Sequence, residues 1–323
     1  MKAVRIHRFG DETVLQLDDI PIPLPGKGQL LVKVEAASLN GGDLYIRRFG
    51  NTHIGADDLP VTLGRDAVGT VEALGSGVTG YREGDRVAVV PGLGGYAEYV
   101  VAPTHEAGHI PEGMDPITAA AAPWVFLTAW FALTRGGQLK KGEVALIQAG
   151  GSGVGTAAIQ IAGYLGAKAI TTAGTDERCA RTLELGAIAA INYNQKELVP
   201  EVLRLTDSWG VDVVLETIGG DMYYKALETL AVGGRLVSLG RSGGEFPDPA
   251  PEPPRGRTAA RFSISACLEE DLKAIEQMEV LLDLVHKGTF KAVVDRTFPL
   301  AEAAEAQRYL GSRKAFGKVV LTV

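Results

Sequence analysis

The chain has 323 residues, of which 46% are hydrophobic and 22% charged, and its formal net charge is −7. This length suits about two domains. The net negative charge and the lack of a block of Lys and Arg residues argue against a nucleic-acid or membrane partner. No apolar run approaches the roughly 20 residues that span a bilayer.

Residues 1–120 are predicted to be rich in β-strands. The N-terminus alternates like a strand and has no signal-peptide core, and two cysteines are too few for a disulfide framework, so we expect a cytoplasmic protein. Strand-like runs follow in QLLVKVEAASL, AVGTVEALG, DRVAVV and GYAEYVVAP, with Gly, Pro and Asp turns between them. A helix-rich stretch, DPITAAAAPWVFLTAWFALTRGG, comes next.

A glycine-rich turn, QAGGSGVG at 148–155, lies between an apolar run and a helical pattern. The run 144–147 is typical of a strand buried on both faces, and Gly166 is placed to end the helix that follows. Strand, glycine turn and helix begin a dinucleotide-binding unit, because the turn and the helix N-terminus present N–H groups to a pyrophosphate. A packing turn without a ligand is the alternative.

Strands and helices then alternate, which predicts a doubly wound parallel sheet. The strands are expected at 143–149, 167–172, 188–192, 211–218 and 234–240. Five of the 16 prolines fall between 247 and 254, which predicts a surface loop. RFSISAC (261–267) is expected to supply a sixth strand, followed by a long amphipathic helix in EEDLKAIEQMEVLLDLVHKG and strands in AVVDRTF and GKVVLTV.

The end of the second strand of this sheet favours NADP(H) over NAD. A unit that selects NAD places Asp or Glu there, to bind the ribose hydroxyls. Here the position falls near Gly174, and Thr175 and Arg178 follow, with Arg181 one turn later. Hydroxyl, glycine and arginine suit a 2′-phosphate. Asp176 is expected to cap the next helix, and the alternative for both arginines is a solvated helix face.

The whole chain resembles the medium-chain dehydrogenase/reductase superfamily, specifically its zinc-free quinone oxidoreductase (zeta-crystallin-like) branch. The motifs that carry the resemblance are ASLNGGDLYIRR, LGRDAVGTVEALGSGV, GDRVAVV, GGYAEYVVAP, GSGVGTAAIQIAGYLGAK, LGAIAAINY and FGKVVLTV. It implies an α/β fold, with a GroES-like β-rich catalytic domain at 1–122 and 268–323 and a Rossmann cofactor domain at 123–267. It also implies a homodimer, paired through the last strand of the cofactor domain.

The resemblance adds further cofactor-binding residues. Tyr193 matches a tyrosine beside the adenosine phosphate, and Lys318 matches a lysine of the tail, for which a surface position is the alternative. The pyrophosphate turn corresponds to Ser152, Gly153 and Val154. Residues at the ends of the fourth and fifth strands complete the set, namely Ile218, Leu239, Gly240 and Arg241.

No metal is expected. Zinc-dependent members of the superfamily use cysteine and histidine where this chain has Asn40 and Arg65, and an arginine cannot ligate a metal. HEAGH at 105–109 fits a zinc-protease signature, but that chemistry needs a helix. Pro103 and Pro111 flank the string and Gly108 interrupts it.

Asn40, Tyr45 and Arg65 are the candidate catalytic residues, because each can donate a hydrogen bond to an oxygen that gains negative charge. Asp43 is expected to hold the backbone instead. Without zinc, the resemblance implies NADPH-dependent hydride transfer to a quinone or an α,β-unsaturated carbonyl, two substrate classes that the sequence does not separate. An NADPH-binding structural or regulatory protein with little turnover is the alternative from another class.

Overall fold

A computed structural model of the chain describes residues 1–51, 53–240, 247, 250–271 and 273–323. The chain forms two compact units, Met1–Val125 with Leu268–Val323, and Phe126–Cys267. The first unit is rich in antiparallel strands and the second holds a parallel sheet. The predicted fold class is therefore confirmed.

The strands of the described residues are β1 Lys2–Ile6, β2 Leu15–Asp19, β3 Gln29–Ser38, β4 Val61–Thr62, β5 Ala67–Leu74, β6 Arg86–Val89, β7 Tyr99–Pro103, β8 Ala107–His109, β9 Val144–Ile147, β10 Lys168–Ala173, β11 Ala189–Asn192, β12 Val211–Glu216, β13 Leu230–Ser238, β14 Thr258–Arg261, β15 Val294–Pro299 and β16 Lys318–Thr322. The helices are α1 Gly41–Phe49, α2 Pro116–Ala120, α3 Pro123–Phe131, α4 Gly153–Tyr164, α5 Asp176–Glu184, α6 Leu198–Leu205, α7 Asp221–Glu228, α8 Ile264–Glu270, α9 Glu276–His286 and α10 Ala303–Gly311.

The first unit contains two sheets over one apolar core. Strands β2, β1 and β4 form a small antiparallel sheet, and the larger sheet has the order β15-β16-β3-β5-β6-β8, with β7 also paired to β3. Leu30, Val32 and Val34 alternate into the core from β3 and meet Val319 and Leu321 of β16. This period of two places the three side chains of β3 on one face of the strand.

The second unit is a doubly wound parallel sheet with the order β11-β10-β9-β12-β13-β14. Strand order reverses between β9 and β12, and in such folds ligands bind at the carboxyl ends of the strands beside this switch point. Leu146, Ile170 and Val214 face the core that α6 and α7 cover. Helix α4 ends before Gly166, which has a φ of +76° as a helix-terminating glycine requires.

Two predictions near the end of the second unit are wrong. The sixth strand, β14, ends at Arg261, and residues from Ile264 onward form helix α8 instead of extending a strand over 261–267. The hydroxyl of Ser263 accepts a hydrogen bond from the N–H of Ala266 (3.3 Å) and so caps that helix. The long helix expected over this region is also divided, since α8 ends at Glu270 and α9 begins at Glu276. Between them, Asp271 accepts a hydrogen bond from the N–H of Lys273 (3.0 Å).

The segment Pro116–Gly136 is 21 residues long and contains an 18-residue stretch with a mean hydropathy of 1.5, which is enough by length and composition to cross a membrane. This differs from the expectation that no apolar run approaches that length. In the structure, however, 78% of that stretch is buried inside the protein. Such burial is the pattern of helices that pack in a protein core.

Candidate functional site

In the second unit, the turn after β9 forms the predicted helix start. Ser152 is the N-cap of α4, and its hydroxyl accepts a hydrogen bond from the N–H of Gly155 (3.0 Å). As at any helix start, the N–H groups of Gly153 and Val154 have no partner inside the helix. An exposed hydroxyl and two N–H groups at the positive end of a helix form a suitable site for a phosphate group.

Two glycines of this turn are required by packing within the protein. A Cβ at Gly150 would lie 2.1 Å from the Oγ1 of Thr171 on β10, and a Cβ at Gly155 would lie 2.2 Å from the carbonyl oxygen of Ala149. Neither distance is possible for a real side chain. These two glycines therefore let the turn fold onto itself and onto β10.

The residues predicted to select the cofactor lie together after β10. Thr175 caps α5, and its hydroxyl accepts from the N–H of Arg178 (3.2 Å). A Cβ at Gly174 would lie 2.6 Å from the hydroxyl of Tyr193, so glycine lets the tyrosine pack there. Tyr193 is 48% exposed and Arg178 is half-buried. The structure thus brings the four predicted residues to one place on the surface.

Asp176 does not cap α5 as predicted. Thr175 has the extended backbone of an N-cap, and Asp176 is the first residue of the helix. Its carboxylate accepts from the side-chain amides of Asn192 (2.6 Å) and Gln195 (3.1 Å), and these bonds hold its pKa below the usual range. The carboxylate therefore anchors the loop after β11. A cavity of about 280 Å³ opens beside this loop, lined by residues 193–198 with Met222 and Lys225.

The ends of β12 and β13 are organised by Glu216, a residue that the sequence motifs do not single out. Its buried carboxylate accepts from the N–H groups of Ile218 and Gly219 (2.6 Å each) and from the hydroxyl of Ser238 (2.7 Å). The N–H of Leu239 bonds to its carbonyl oxygen (2.8 Å). A charged residue at the end of the otherwise apolar strand VDVVLE is the signal that could have found it.

These contacts gather three of the predicted strand-end residues, Ile218, Leu239 and Gly240. A Cβ at Gly240 would lie 2.8 Å from the carbonyl oxygen of Thr217, which shows how closely the two strand ends approach each other. Arg241, the fourth residue predicted there, lies outside the described residues.

In the first unit, Asn40 joins a buried polar network. Its side-chain N–H groups donate to Asp66 Oδ1 (2.9 Å) and to the carbonyl oxygen of Ser38 (3.4 Å), and its Oδ1 accepts from Lys318 Nζ (2.6 Å). Because both N–H groups of the amide are in use, a bond from Asn40 to a substrate oxygen requires one of these bonds to break. Asp43 accepts from the backbone N–H of Asn40 (2.8 Å), as expected.

Lys318, predicted to bind the cofactor, is only 3% exposed, and its ammonium also donates to the carbonyl oxygen of Leu39 (2.6 Å). Asp66 is 1% exposed and accepts from the hydroxyl of Ser38 (2.8 Å). Burial lowers the pKa of Lys318 and raises that of Asp66, while the opposite charge of each partner acts against both shifts. Lys318 is thus one half of a buried charge pair that Asn40 bridges, and the alternative of a surface lysine is wrong.

We expect Lys318→Met to lower the free energy of unfolding by about 3–5 kcal/mol, because it leaves the buried Asp66 carboxylate without its cation. Urea denaturation followed by circular dichroism measures the loss. Lys318→Met combined with Asp66→Asn removes both charges and should restore part of the stability. A loss below about 1 kcal/mol, together with weaker NADPH binding, would instead identify Lys318 as a cofactor ligand.

Arg65 lies at the edge of this network. Its Nε is 3.7 Å from Asp43 Oδ1, and its guanidinium carbon is 4.9 Å from the ring centre of Trp124. Burial raises the pKa of Asp43 to about 6 against the opposing charge of Arg65. The Arg65 side chain is 19% exposed, unlike that of Lys318. It is therefore the cation of this cluster that can meet a ligand at the surface.

Tyr45, the third candidate catalytic residue, is half-buried on α1, and its ring packs 5.1 Å from that of Phe49. The structure thus places Tyr45 one turn along the helix that Asn40 begins.

The described residues contain no group of three or more His, Cys, Asp or Glu side chains that could hold a metal ion. HEAGH forms a short 3-10 turn and then strand β8, so it does not form the α-helix that the zinc-protease signature needs. His109 stacks on Tyr81 and bonds to Glu279 (3.1 Å).

Comparison with known proteins matches two segments of the chain to protein families. Residues 26–112 match the alcohol dehydrogenase GroES-like domain, and residues 185–321 match the zinc-binding dehydrogenase family. The chain is 34% identical to a quinone oxidoreductase of Sus scrofa over 99% of its own length and 97% of the relative's. It is 29% identical to a 2-haloacrylate reductase of a Burkholderia species, over 99% and 98% of the two chains.

Comparison with solved structures also finds quinone oxidoreductases. The quinone oxidoreductase of Escherichia coli in complex with NADPH superposes with a TM-score of 0.92 at 28% identity, and the match covers all of both chains.

Proposed function

The chain belongs to the quinone oxidoreductase branch of the medium-chain dehydrogenase/reductase superfamily, and from that membership we propose that it is an NADPH-dependent reductase of quinones or related conjugated carbonyls that works without zinc. The observation that carries the proposal is the cluster after β10. Gly174, Thr175, Arg178 and Tyr193 lie together there, and the strand end has no carboxylate to exclude a 2′-phosphate.

The residues of the second unit fit such a cofactor. The helix start at Ser152–Val154 offers a hydroxyl and N–H groups to the pyrophosphate. Glu216 holds the loop at Ile218 and Gly219 against the end of β13, which gives the strand ends a fixed shape for the rest of the dinucleotide. When bound, NADPH supplies the hydride, so the protein has to orient the acceptor and stabilise the charge that develops on it.

The first unit supports an acceptor that is already electrophilic. A quinone or enone gains negative charge on oxygen as it is reduced, and a hydrogen-bond donor is enough to stabilise that charge. An alcohol must lose a proton as well, for which zinc is a common device. Arg65 carries a permanent charge and is partly exposed, so we assign it the main stabilising role, with Tyr45 as a second donor.

Reduction of a conjugated carbon–carbon double bond is the second candidate. A 2-haloacrylate is an α,β-unsaturated carboxylate, and the relative named for its reduction matches nearly the full chain. Quinone and enone acceptors make the same demand on Arg65, so only a comparison of substrates separates them. An NADPH-binding protein with little turnover is the remaining alternative.

The proposed activity should not depend on metal. Elemental analysis of the purified protein is expected to find well under one zinc per chain, and chelators should leave NADPH oxidation unchanged. Asn40 and Arg65 already bond or pair within the chain, and an arginine offers no lone pair to a metal. Stoichiometric zinc, or activity lost to a chelator and restored by zinc, would contradict this part of the proposal.

We also propose a homodimer, formed by pairing β14 of two copies across a two-fold axis. Strand β14 ends the order of the six-stranded sheet and pairs only with β13 among the described residues. An open strand edge favours such pairing. Light scattering coupled to size-exclusion chromatography should give about twice the chain mass. Ala259→Pro should give more monomer, because strand alternation turns the N–H of Ala259 to the open edge while that of Phe262 bonds to Ser238 of β13.

A further inference from the structure

Four polar side chains lie side by side at the carboxyl ends of adjacent strands in the second unit. The register of β9 with its two neighbours, continued one residue past Ile147, places Gln148 between Thr172 and Glu216, and the register of β12 with β13 places Glu216 beside Ser238. Each lies two residues beyond a core residue of its own strand, so all four face the side of the sheet that α6 and α7 cover. We call these four residues the strand-end row. None is more than 1% exposed.

Three members of the strand-end row have hydrogen-bond partners. Thr172 Oγ1 accepts from the N–H of Ala149 (3.1 Å), and Ser238 donates to Glu216, which also accepts two backbone bonds. Gln148 differs, because neither its Nε2 nor its Oε1 has a partner within the described part of the chain. Its side chain is fully buried.

An unpaired buried amide destabilises a protein, and such groups in native structures call for an explanation. Packing does not supply one here, since Leu146 occupies the same face of β9 and an apolar side chain would serve as well at 148. The position does suggest a reason. Gln148 directly follows the last residue of the central strand and precedes the glycine turn, and its neighbour Glu216 ends the strand across the switch point.

We propose that Gln148 is a cofactor-positioning residue whose amide completes its hydrogen bonds when a dinucleotide crosses the strand ends. The partner is the pyrophosphate–ribose part of the cofactor, and because the Gln148 amide has no exposed surface in the free protein, this bond requires a local shift of the residues that cover it. That part of a dinucleotide lies at the switch point of a doubly wound sheet. This inference rests on the proposed NADPH-dependent function. The unpaired amide lowers the stability of the cofactor-free protein, and its hydrogen bonds to the cofactor add to the free energy of binding.

The test uses Gln148→Met in the full chain and compares NADPH affinity with the stability of cofactor-free protein. The apolar side chain of similar length removes the unpaired groups, so the melting temperature without cofactor should rise by about 2–4 °C. The dissociation constant for NADPH, from the fluorescence of the bound nucleotide, should rise about tenfold. A purely structural glutamine would not give these opposite effects.

Gln307→Met is the matched control. Gln307 is also buried (1% exposed), but it lies in the first unit and its Oε1 accepts from Arg47 Nη1 (2.6 Å). Its replacement should lower the melting temperature and leave the dissociation constant for NADPH within about twofold of wild type. If Gln148→Met does not fold, Gln148→Asn is the second variant, since it keeps an amide but withdraws it by one methylene and should also weaken binding.

An NADPH dissociation constant within about twofold of wild type in the folded Gln148 variant would overturn the inference, whatever its melting temperature. That outcome is distinct from failure of the proposed function, in which the wild-type protein itself would show no saturable binding of NADPH. Weaker binding with an unchanged or raised melting temperature supports the inference.

Discussion

Replacing Arg178 and Arg181 together by alanine is expected to remove most of the preference for NADPH over NADH. The N–H of Arg178 bonds to the hydroxyl of Thr175, so the arginine lies in the first turn of α5, directly after Gly174, against which Tyr193 packs. A hydrogen bond to a charged group contributes about 1.5–3 kcal/mol. The wild-type protein should therefore bind NADPH about ten- to a hundredfold more tightly than NADH.

Titration of both nucleotides into both proteins measures this preference. The double variant should lose affinity for NADPH and keep its affinity for NADH, because NADH has no 2′-phosphate. Arg82→Ala with Arg308→Ala is the matched control, since it removes two arginines with exposed side chains from the first unit. If wild-type protein binds the two nucleotides equally, the assignment of the phosphate site is wrong.

The cofactor unit could be predicted closely because its signals are local in the sequence. The apolar run 144–147, the glycine turn and the helix after it follow one another, and each has a structure dictated by its own residues. The predicted position of the sixth strand is wrong because two local signals compete in RFSISAC. Its apolar alternation is typical of a strand, but Ser263 caps a helix there, and the helix forms.

The polar networks could not be predicted, because their partners are far apart in the chain. Asn40 bonds to Asp66, 26 residues away, and to Lys318, 278 residues away. A lysine in a terminal strand looks like a surface residue until the fold places a carboxylate near it. Gln148 is the first residue of the glycine-rich motif, yet only the folded sheet reveals that its amide is buried and unpaired.

Arg65→Ala is expected to lower kcat by about 10²–10³ with quinone or enone acceptors, while changing the dissociation constant for NADPH by less than about threefold. Loss of one donor that stabilises a developing oxyanion has this typical effect. Arg65 is held by Asp43 and by the ring of Trp124, so its guanidinium is fixed before the acceptor binds. Loss of NADPH absorbance with a panel of quinones, enones, alkenals and 2-haloacrylates gives the rates.

Two further variants separate the charge of Arg65 from its placement. Arg65→Lys keeps the charge but loses the planar group over Trp124, so it should recover only part of kcat. Gly42→Ala keeps the arginine but displaces it, because a Cβ there would lie 2.7 Å from Arg65 Nε. Its kcat should fall toward that of Arg65→Ala. Arg82→Ala, at an exposed ion pair in the same unit, should leave kcat unchanged.

Asn40→Ala tests the candidate catalytic residue whose amide N–H groups already donate hydrogen bonds within the protein. Its amide bridges Asp66 and Lys318, so the variant should lose stability and, through the disturbed start of α1, also kcat. If Asn40 donates to the acceptor itself, kcat falls in Asn40→Ala and stays near wild type in Arg65→Ala, which would reverse our assignment.

Robust NADP-dependent oxidation of simple alcohols would refute the reaction class. Tight NADPH binding without turnover of any acceptor would favour the binding-protein alternative, because then neither donor has a developing charge to stabilise.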